Sequence, residues 1–317
     1  MSLSPESRAK GAIWGVCVAD ALGGPVQFMD AGTFEPITGL RFVEPFHQPA
    51  GAFSDDGSMT LALAFSFCES GMQYNHALSI QYFVEWVTEG RFSTIDCAWD
   101  VGNSTSSSLE IWKRSGASDV DLTQAEVNRK LNHEKFSGNG SLMRIVPVGL
   151  AYWRDTQQAR EFARQQSQVT HPSLACVEAC EAYTELVCGV MNGHTKQQLY
   201  DTVSVFPFTH RGLKERITGY ESIEDWQRQE PGDMMSSGWV IDTLECALWA
   251  FFKYDTWKDG ALAVVNLGGD SDTAGAVFGG LAGAFYGFDS IPSEWVDGMQ
   301  KKSFIEDIAG RFSAGIA

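Results

Sequence analysis

Two short acidic segments carry the residue types best suited to chemistry. One reads Phe53-Ser54-Asp55-Asp56-Gly57-Ser58 and the other Asn266-Leu267-Gly268-Gly269-Asp270-Ser271-Asp272-Thr273. Each places two carboxylates and a hydroxyl within four residues, at a predicted loop-to-helix junction. Hard divalent cations take oxygen ligands of this kind, and Mg²⁺ is held by a few carboxylates while keeping waters and substrate oxygens. If packing brings the two helix starts together, four carboxylates and two hydroxyls are enough to hold two metal ions. Asp and Ser are also preferred helix caps, and either segment taken alone reads first as a cap. The paired glycines Gly268-Gly269 shift the second segment toward a ligand loop, because they permit a sharp turn and close backbone approach.

Further candidates are individually weaker. Ser137-Gly138-Asn139-Gly140-Ser141 opens a predicted helix, and its backbone N–H groups can cradle a phosphate. It lacks the Lys-Ser/Thr ending of a P-loop and reads equally as a turn with a cap. His171 stands at a predicted helix start, where the dipole disfavours its charged form; a satisfied structural histidine is the alternative. Asp100 and Asn103 lie about one helical turn apart and can face one ligand or form a solvated face. Trp239, directly after Gly238, can stack on an adenine ring or pack in the core.

The elements that must position these residues are helices joined by polar loops. Periodicity predicts them at roughly 8–22, 57–70, 75–89, 95–115, 140–153, 156–168, 173–192, 238–252, 257–266, 272–287 and 301–313. Ser54-Asp55-Asp56 supplies N-cap chemistry for the second, and Pro172 suits the first turn of the helix that follows His171. Val203 to Phe208 is the best strand candidate. Gly275, Gly279, Gly283 and Gly287 form a side-chain-free stripe, and Gly11, Gly15 and Ala19 form another, so two helices are built for close approach. Residues 204–237 read as a long, less regular surface excursion, a candidate substrate-side loop. No change of composition divides the chain, which predicts one all-α domain over 1–317.

The chain has 317 residues, 44% hydrophobic and 20% charged, which is ample for a core and excludes disorder as its main state. Lys+Arg is 23 and Asp+Glu is 40, a net charge of −17 without strong basic clusters, so nucleic-acid binding is not expected. A phosphate-bearing ligand would need bound cations. Seven scattered cysteines read as buried or partly buried thiols of a reducing compartment. The start has no secretion signal, and the apolar stretch 273–288 is too short and glycine-rich to span a membrane, which predicts a cytoplasmic protein.

Taken in order, these segments resemble the ADP-ribosylglycohydrolase family, the group that includes the dinitrogenase reductase-activating glycohydrolase. The resemblance covers nearly the whole chain. It runs through Gly11-x3-Gly15 into Asp20-Ala21-Leu22-Gly23, then Ser54-Asp55-Asp56 with Met59, and Asp100-Val101-Gly102. It continues with Gly138-Asn139-Gly140, Met143-Arg144, Pro147-Val148-Gly149, Thr170-His171-Pro172, Ser237-Gly238 before Thr243-Leu244, and Asn266 to Thr273. The last segment is the most specific.

The resemblance implies an all-α orthogonal helical assembly with a two-metal centre, Mg²⁺ or Mn²⁺, at the base of a cleft. Carried onto matching positions, it implies metal ligation by Ser54, Asp55, Asp56, Asp270, Asp272 and Thr273. Ser54 stands where the family commonly has Thr, a mild change. Asn139, Gly140, Ser141 and His171 match positions near the phosphates or ribose, Ser271 lies within the metal loop, and Trp239 matches an aromatic position near the adenosine. Asn103 and Gln27 complete the expected binding set. Many members have glutamate where this chain has Gln27, and glutamine cannot perform the same proton transfer. That leaves Asp100, or a metal ligand such as Asp55, as candidate base. The implied activity is hydrolysis at C1″ of ADP-ribose on a modified protein side chain or small conjugate. The alternative is a catalytically weakened ADP-ribose-binding, blocking or structural protein of the same fold. A two-metal phosphatase is a third reading, disfavoured because the histidine-rich ligand sets are missing.

Overall fold

The computed structural model describes residues 3–116 and 119–316, and sixteen α-helices follow one another among them. They are α1 (Pro5–Gly23), α2 (Asp55–Glu69), α3 (His76–Glu89), α4 (Asn103–Ser115), α5 (Val120–Leu131), α6 (Val146–Ala151), α7 (Thr156–Gln168) and α8 (Leu174–Met191). The second half contains α9 (Lys196–Ser204), α10 (Arg211–Ile217), α11 (Ile223–Arg228), α12 (Val240–Lys253), α13 (Trp257–Val265), α14 (Ser271–Tyr286), α15 (Ser293–Gly298) and α16 (Lys302–Gly315). Among the described residues β-pairing is limited to two isolated bridges, Val43 with Gln48 and Gly138 with Trp239. The all-α expectation holds.

The two glycine stripes meet each other. A Cβ added to Gly15 would stand 2.1 Å from the carbonyl oxygen of Gly279, and one added to Gly279 would stand 2.2 Å from that of Gly15. Backbone lies on backbone there, which no larger residue permits. A glycine in a helix interior costs about 1 kcal/mol relative to alanine, and the burial achieved offsets it. Every residue of α1 from Gly11 to Gly23 is buried, as is every residue of α14 from Ser271 to Ala284. A helix enclosed on all sides is a core element, and α2, α8, α12, α13 and α16 pack around this pair. Gly287 is not part of the stripe: it ends α14 with φ +83°.

Several local expectations are corrected. The helix expected over 95–115 begins only at Asn103, because the preceding loop is tied elsewhere: the Thr94 hydroxyl donates to the Phe53 carbonyl (2.7 Å) and accepts from the Phe53 N–H (3.1 Å). The helix expected over 140–153 begins only at Val146. Pro147 can occupy its first turn but cannot continue a helix from Met143, and residues 140–144 form turns instead. Val203 to Phe208 is no strand, since Val203 lies in α9. Pro172 precedes Ser173, the N-cap of α8, rather than opening the helix. Cys97 is exposed, although all seven cysteines are free as expected. The excursion 204–237 carries α10 and α11, which pack on α12 and bury Trp226 completely.

The fold predicts opposite outcomes for two Gly→Ala changes. Gly279→Ala forces the central pair apart and should lower stability by at least ~3 kcal/mol. Gly310→Ala, in α16 with no atom within 4 Å of the new methyl, should raise it by ~0.5–1 kcal/mol. Denaturant titration of both variants measures the contrast.

Candidate active site

The C-terminal end of α1 and the N-terminal ends of α2 and α14 converge. Asp20, the only charged residue between Lys10 and Asp30, is fully buried, and its carboxylate accepts the N–H groups of Ser54 (2.9 Å) and Gly57 (2.8 Å). It therefore caps α2 from another helix. Ser54 occupies the N-cap position without capping: its hydroxyl donates toward Asp56 Oδ2 (3.0 Å) and Asp55 Oδ1 (3.3 Å). The two acidic segments meet through Thr273, whose hydroxyl lies 3.5 Å from Asp56 Oδ2 and 3.4 Å from Asp270 Oδ1.

Carboxylate oxygens of Asp20, Asp56 and Asp272 lie within 4.8 Å of one another, and all three residues are buried. Asp56 Oδ1 and Asp272 Oδ1 are buried without a hydrogen-bond partner. Buried oxygens are normally paired, so the donor set fits hard cations both in chemistry and in what it leaves unsatisfied. Electrostatics agrees. Burial first, and neighbouring carboxylates second, push Asp55, Asp56 and Asp272 well above the ordinary carboxylate range. Burial raises Asp20 to about 7 against the opposing effect of its N–H donors, and raises Asp100 to about 6. A cation at this centre would reverse the balance.

Above the carboxylates opens a cleft of about 680 Å³, lined by Asp55, Asp100, Asp270, Asp272 and Thr273 on the acidic side. That volume lies within the range of small-molecule sites. Asn139, Gly140, His171 and Trp239 line it as well, and Asn103 stands exposed at its rim. Asp100 and Asn103 reach one cavity, but not as neighbours on a helix: Asp100 is in the loop with φ +57° and Asn103 opens α4. Asn139 is fixed through its amide nitrogen, which donates to Asp270 Oδ2 (2.7 Å) and Thr243 Oγ1 (2.9 Å). Trp239 donates its indole N–H to Glu134 (3.3 Å).

Other expected binding residues lie beneath the cleft. Gln27 is buried without a hydrogen bond of good geometry, and its amide faces the Asp100 carboxyl, whose rise on burial it opposes. The Ser141 hydroxyl pairs with that of Ser167 (2.9 Å), and the Ser271 hydroxyl donates to the Gly23 carbonyl (3.2 Å). Both residues are fully buried and neither lines the cleft, so the structure does not place Ser141 or Ser271 against a ligand.

Arg144 organises the turn at Gly140 from below. Fully buried, it donates to the carbonyl of Gly140 (2.9 Å), to Gln166 Oε1 (2.7 Å) and to Thr170 Oγ1 (2.7 Å). Thr170 Oγ1 also lies 2.7 Å from His171 Nδ1, so the hydroxyl links the imidazole ring to Arg144. Burial, and then the nearby guanidinium, lower His171 to about 3. It is therefore a neutral hydrogen-bonding surface at working pH, not an acid.

The whole chain, residues 1–317, matches the ADP-ribosylglycohydrolase family. The chain belongs to that family. Its relatives include an ADP-ribosylarginine hydrolase of Pseudomonas putida, 30% identical across 97% of this chain and 79% of that protein. Another is a Serratia proteamaculans protein of the same description, 29% identical across 97% and 80%. The ADP-ribosyl-[dinitrogen reductase] glycohydrolase of Rhodospirillum rubrum is 27% identical across 94% and 92%. A solved ADP-ribosylglycohydrolase-related protein complex superposes with TM-score 0.81, at 29% identity, over 99% of both chains. As a family member, the protein is a glycosidic-bond hydrolase with the family's helical fold.

Asp20 was missing from the expected ligand set, although a lone carboxylate in an apolar run was a visible signal. Because Asp20 and Asp100 bind protons more tightly folded than unfolded, the metal-free protein holds extra protons from about pH 4 upward. It should lose stability as pH rises through about 6 and 7. In EDTA the melting temperature should fall between pH 5 and pH 8, and Mg²⁺ should raise it more at pH 8 than at pH 5. A melting temperature that climbs over this interval in EDTA contradicts the account.

Proposed function

We propose that this protein hydrolyses the N-glycosidic bond between C1″ of ADP-ribose and the guanidinium of a modified arginine side chain. The observation that carries the reading is the junction of the two acidic segments beneath a cleft of ligand size. The two relatives described as ADP-ribosylarginine hydrolases support the arginine linkage, and the acidic cleft suits a substrate that carries a guanidinium. Ser54, Asp55, Asp56, Asp270, Asp272 and Thr273 would hold two divalent cations, Mg²⁺ or Mn²⁺, with Asp20 supporting them from below. Bound there, the cations supply positive charge for ribose hydroxyls and water in a protein that is otherwise strongly acidic.

The chain's own groups do the rest. The turn at Asn139 and Gly140 and the neutral His171 bind the phosphates and ribose, and Trp239 offers an aromatic surface to the adenine. As the C1″–N bond breaks, its electron pair passes to the departing guanidine. Positive charge builds on the ribose, where surrounding carboxylates stabilise it. Water oxygen bonds to C1″ and gives its proton to Asp100, whose carboxylate lines the cleft. Gln27 cannot take that proton, but from beneath the cleft its amide can hydrogen-bond Asp100 and hold it in place. Among the described residues no helix is long and apolar enough to cross a membrane.

ADP-ribose release from arginine- and serine-modified proteins tests the reading. Release is expected from the arginine linkage, and it should disappear in EDTA and in Asp272→Ala. Asp100→Asn should lower kcat by about 100-fold or more while keeping ADP-ribose affinity. Gln27 specifically favours a second reading, binding without hydrolysis. Metal-dependent ADP-ribose binding by calorimetry, without release from either linkage, would replace the first reading with the second.

A further inference from the structure

Phe28 is the most exposed aromatic side chain among the described residues, 65% accessible, and its backbone sits at φ +65°. An L-residue rarely adopts that conformation, and an exposed phenyl ring gains little from folding. Two reciprocal bonds hold it there. The Phe28 N–H donates to the Gly269 carbonyl (2.6 Å), and the Gly269 N–H donates to the Met29 carbonyl (2.8 Å). The clamp needs Gly268 and Gly269, both at positive φ; a Cβ on Gly268 would lie 2.3 Å from the Met29 oxygen. The turn is thus bound to the loop bearing Asp270 and Asp272. The ring lies 6.4 Å from Phe46, which lies 5.2 Å from Trp99, and it faces the same cleft as Asp55 and Asp100.

Backbone strain maintained to display an aromatic face at a cleft points to a ligand. The ligand that suits an aromatic face among carboxylates is a planar cation. A guanidinium stays planar and charged when one nitrogen carries C1″. We propose that the Phe28 ring is the platform on which the guanidinium of the modified arginine stacks, which makes Phe28 a specificity residue for the leaving group. This rests on the arginine-linkage reading above. The guanidinium gives up its charge as it accepts the electron pair of the C1″–N bond. Stacking of the planar group on the ring persists while that charge is being lost, so the contact holds bound substrate and transition state alike and should appear in KM rather than kcat.

Phe28→Gly removes the ring and accepts the left-handed backbone, so its melting temperature should equal or exceed that of the parent. On arginine-linked substrate, Phe28→Gly and Phe28→Leu should raise KM about ten-fold with kcat within about two-fold. Phe28→Tyr should retain the parent KM, and ADP-ribose affinity by calorimetry should be unchanged throughout. An unmoved KM in Phe28→Gly overturns the platform, as does a Leu variant equal to the parent. Loss of ADP-ribose affinity in step with KM would place the ring in the ADP-ribose subsite instead. Absence of arginine-linked turnover in the parent protein removes the arginine-linkage reading, and the platform with it.

Discussion

Like charges brought together out of water repel, and this structure gathers aspartates at the meeting point of α1, α2 and α14. Asp20, Asp56 and Asp272 converge from three helices, with Asp55, Asp100 and Asp270 around them. Without cations the arrangement survives by keeping protons and by directing backbone donors at Asp20. Such a cluster can exist only if the scaffold holds it rigidly. The glycine-on-glycine contact between α1 and α14 provides that rigidity, because its backbones touch and leave no slack for the helix ends to separate.

Two different supports surround the cluster. On one side Arg144, buried and hydrogen-bonded in several directions, fixes the turn at Gly140 and, through Thr170, the ring of His171. On the other, the Gly268-Gly269 turn carries the second acidic segment while gripping the chain at Phe28 and Met29. The excursion through α10 and α11 also reaches the centre, because the Ser236 carbonyl accepts the Asp270 N–H (3.1 Å). The second acidic segment, the turn at Phe28 and Met29 and the segment at Ser236 are thus mechanically one unit, and displacement of any of them would be felt at the carboxylates.

The balance of local and tertiary forces explains where the elements begin. Helices with strong apolar periodicity and clear caps, such as α3 and α7, start and stop within a residue or two of expectation. The early part of the expected helix over 95–115 is a loop because Thr94 bonds to Phe53, forty-one positions away. α5 and α9 escaped notice because their apolar faces are narrow, even though Asp119 and the Thr195–Gln198 capping box mark their starts.

The order of residues along the chain determined the all-α class, the close packing of two glycine-striped helices and both acidic segments with their hard-ligand chemistry, since each depends on residues near one another in sequence. Tertiary structure alone decided that the two segments share one centre and that Asp20 lies beneath them. It also decided that Ser141 and Ser271 turn their hydroxyls inward, and that Phe28 is held outward under strain. Those facts depend on contacts between positions as distant as Gly23 and Ser271. Such contacts arise from how helices pack, and no local spacing encodes them.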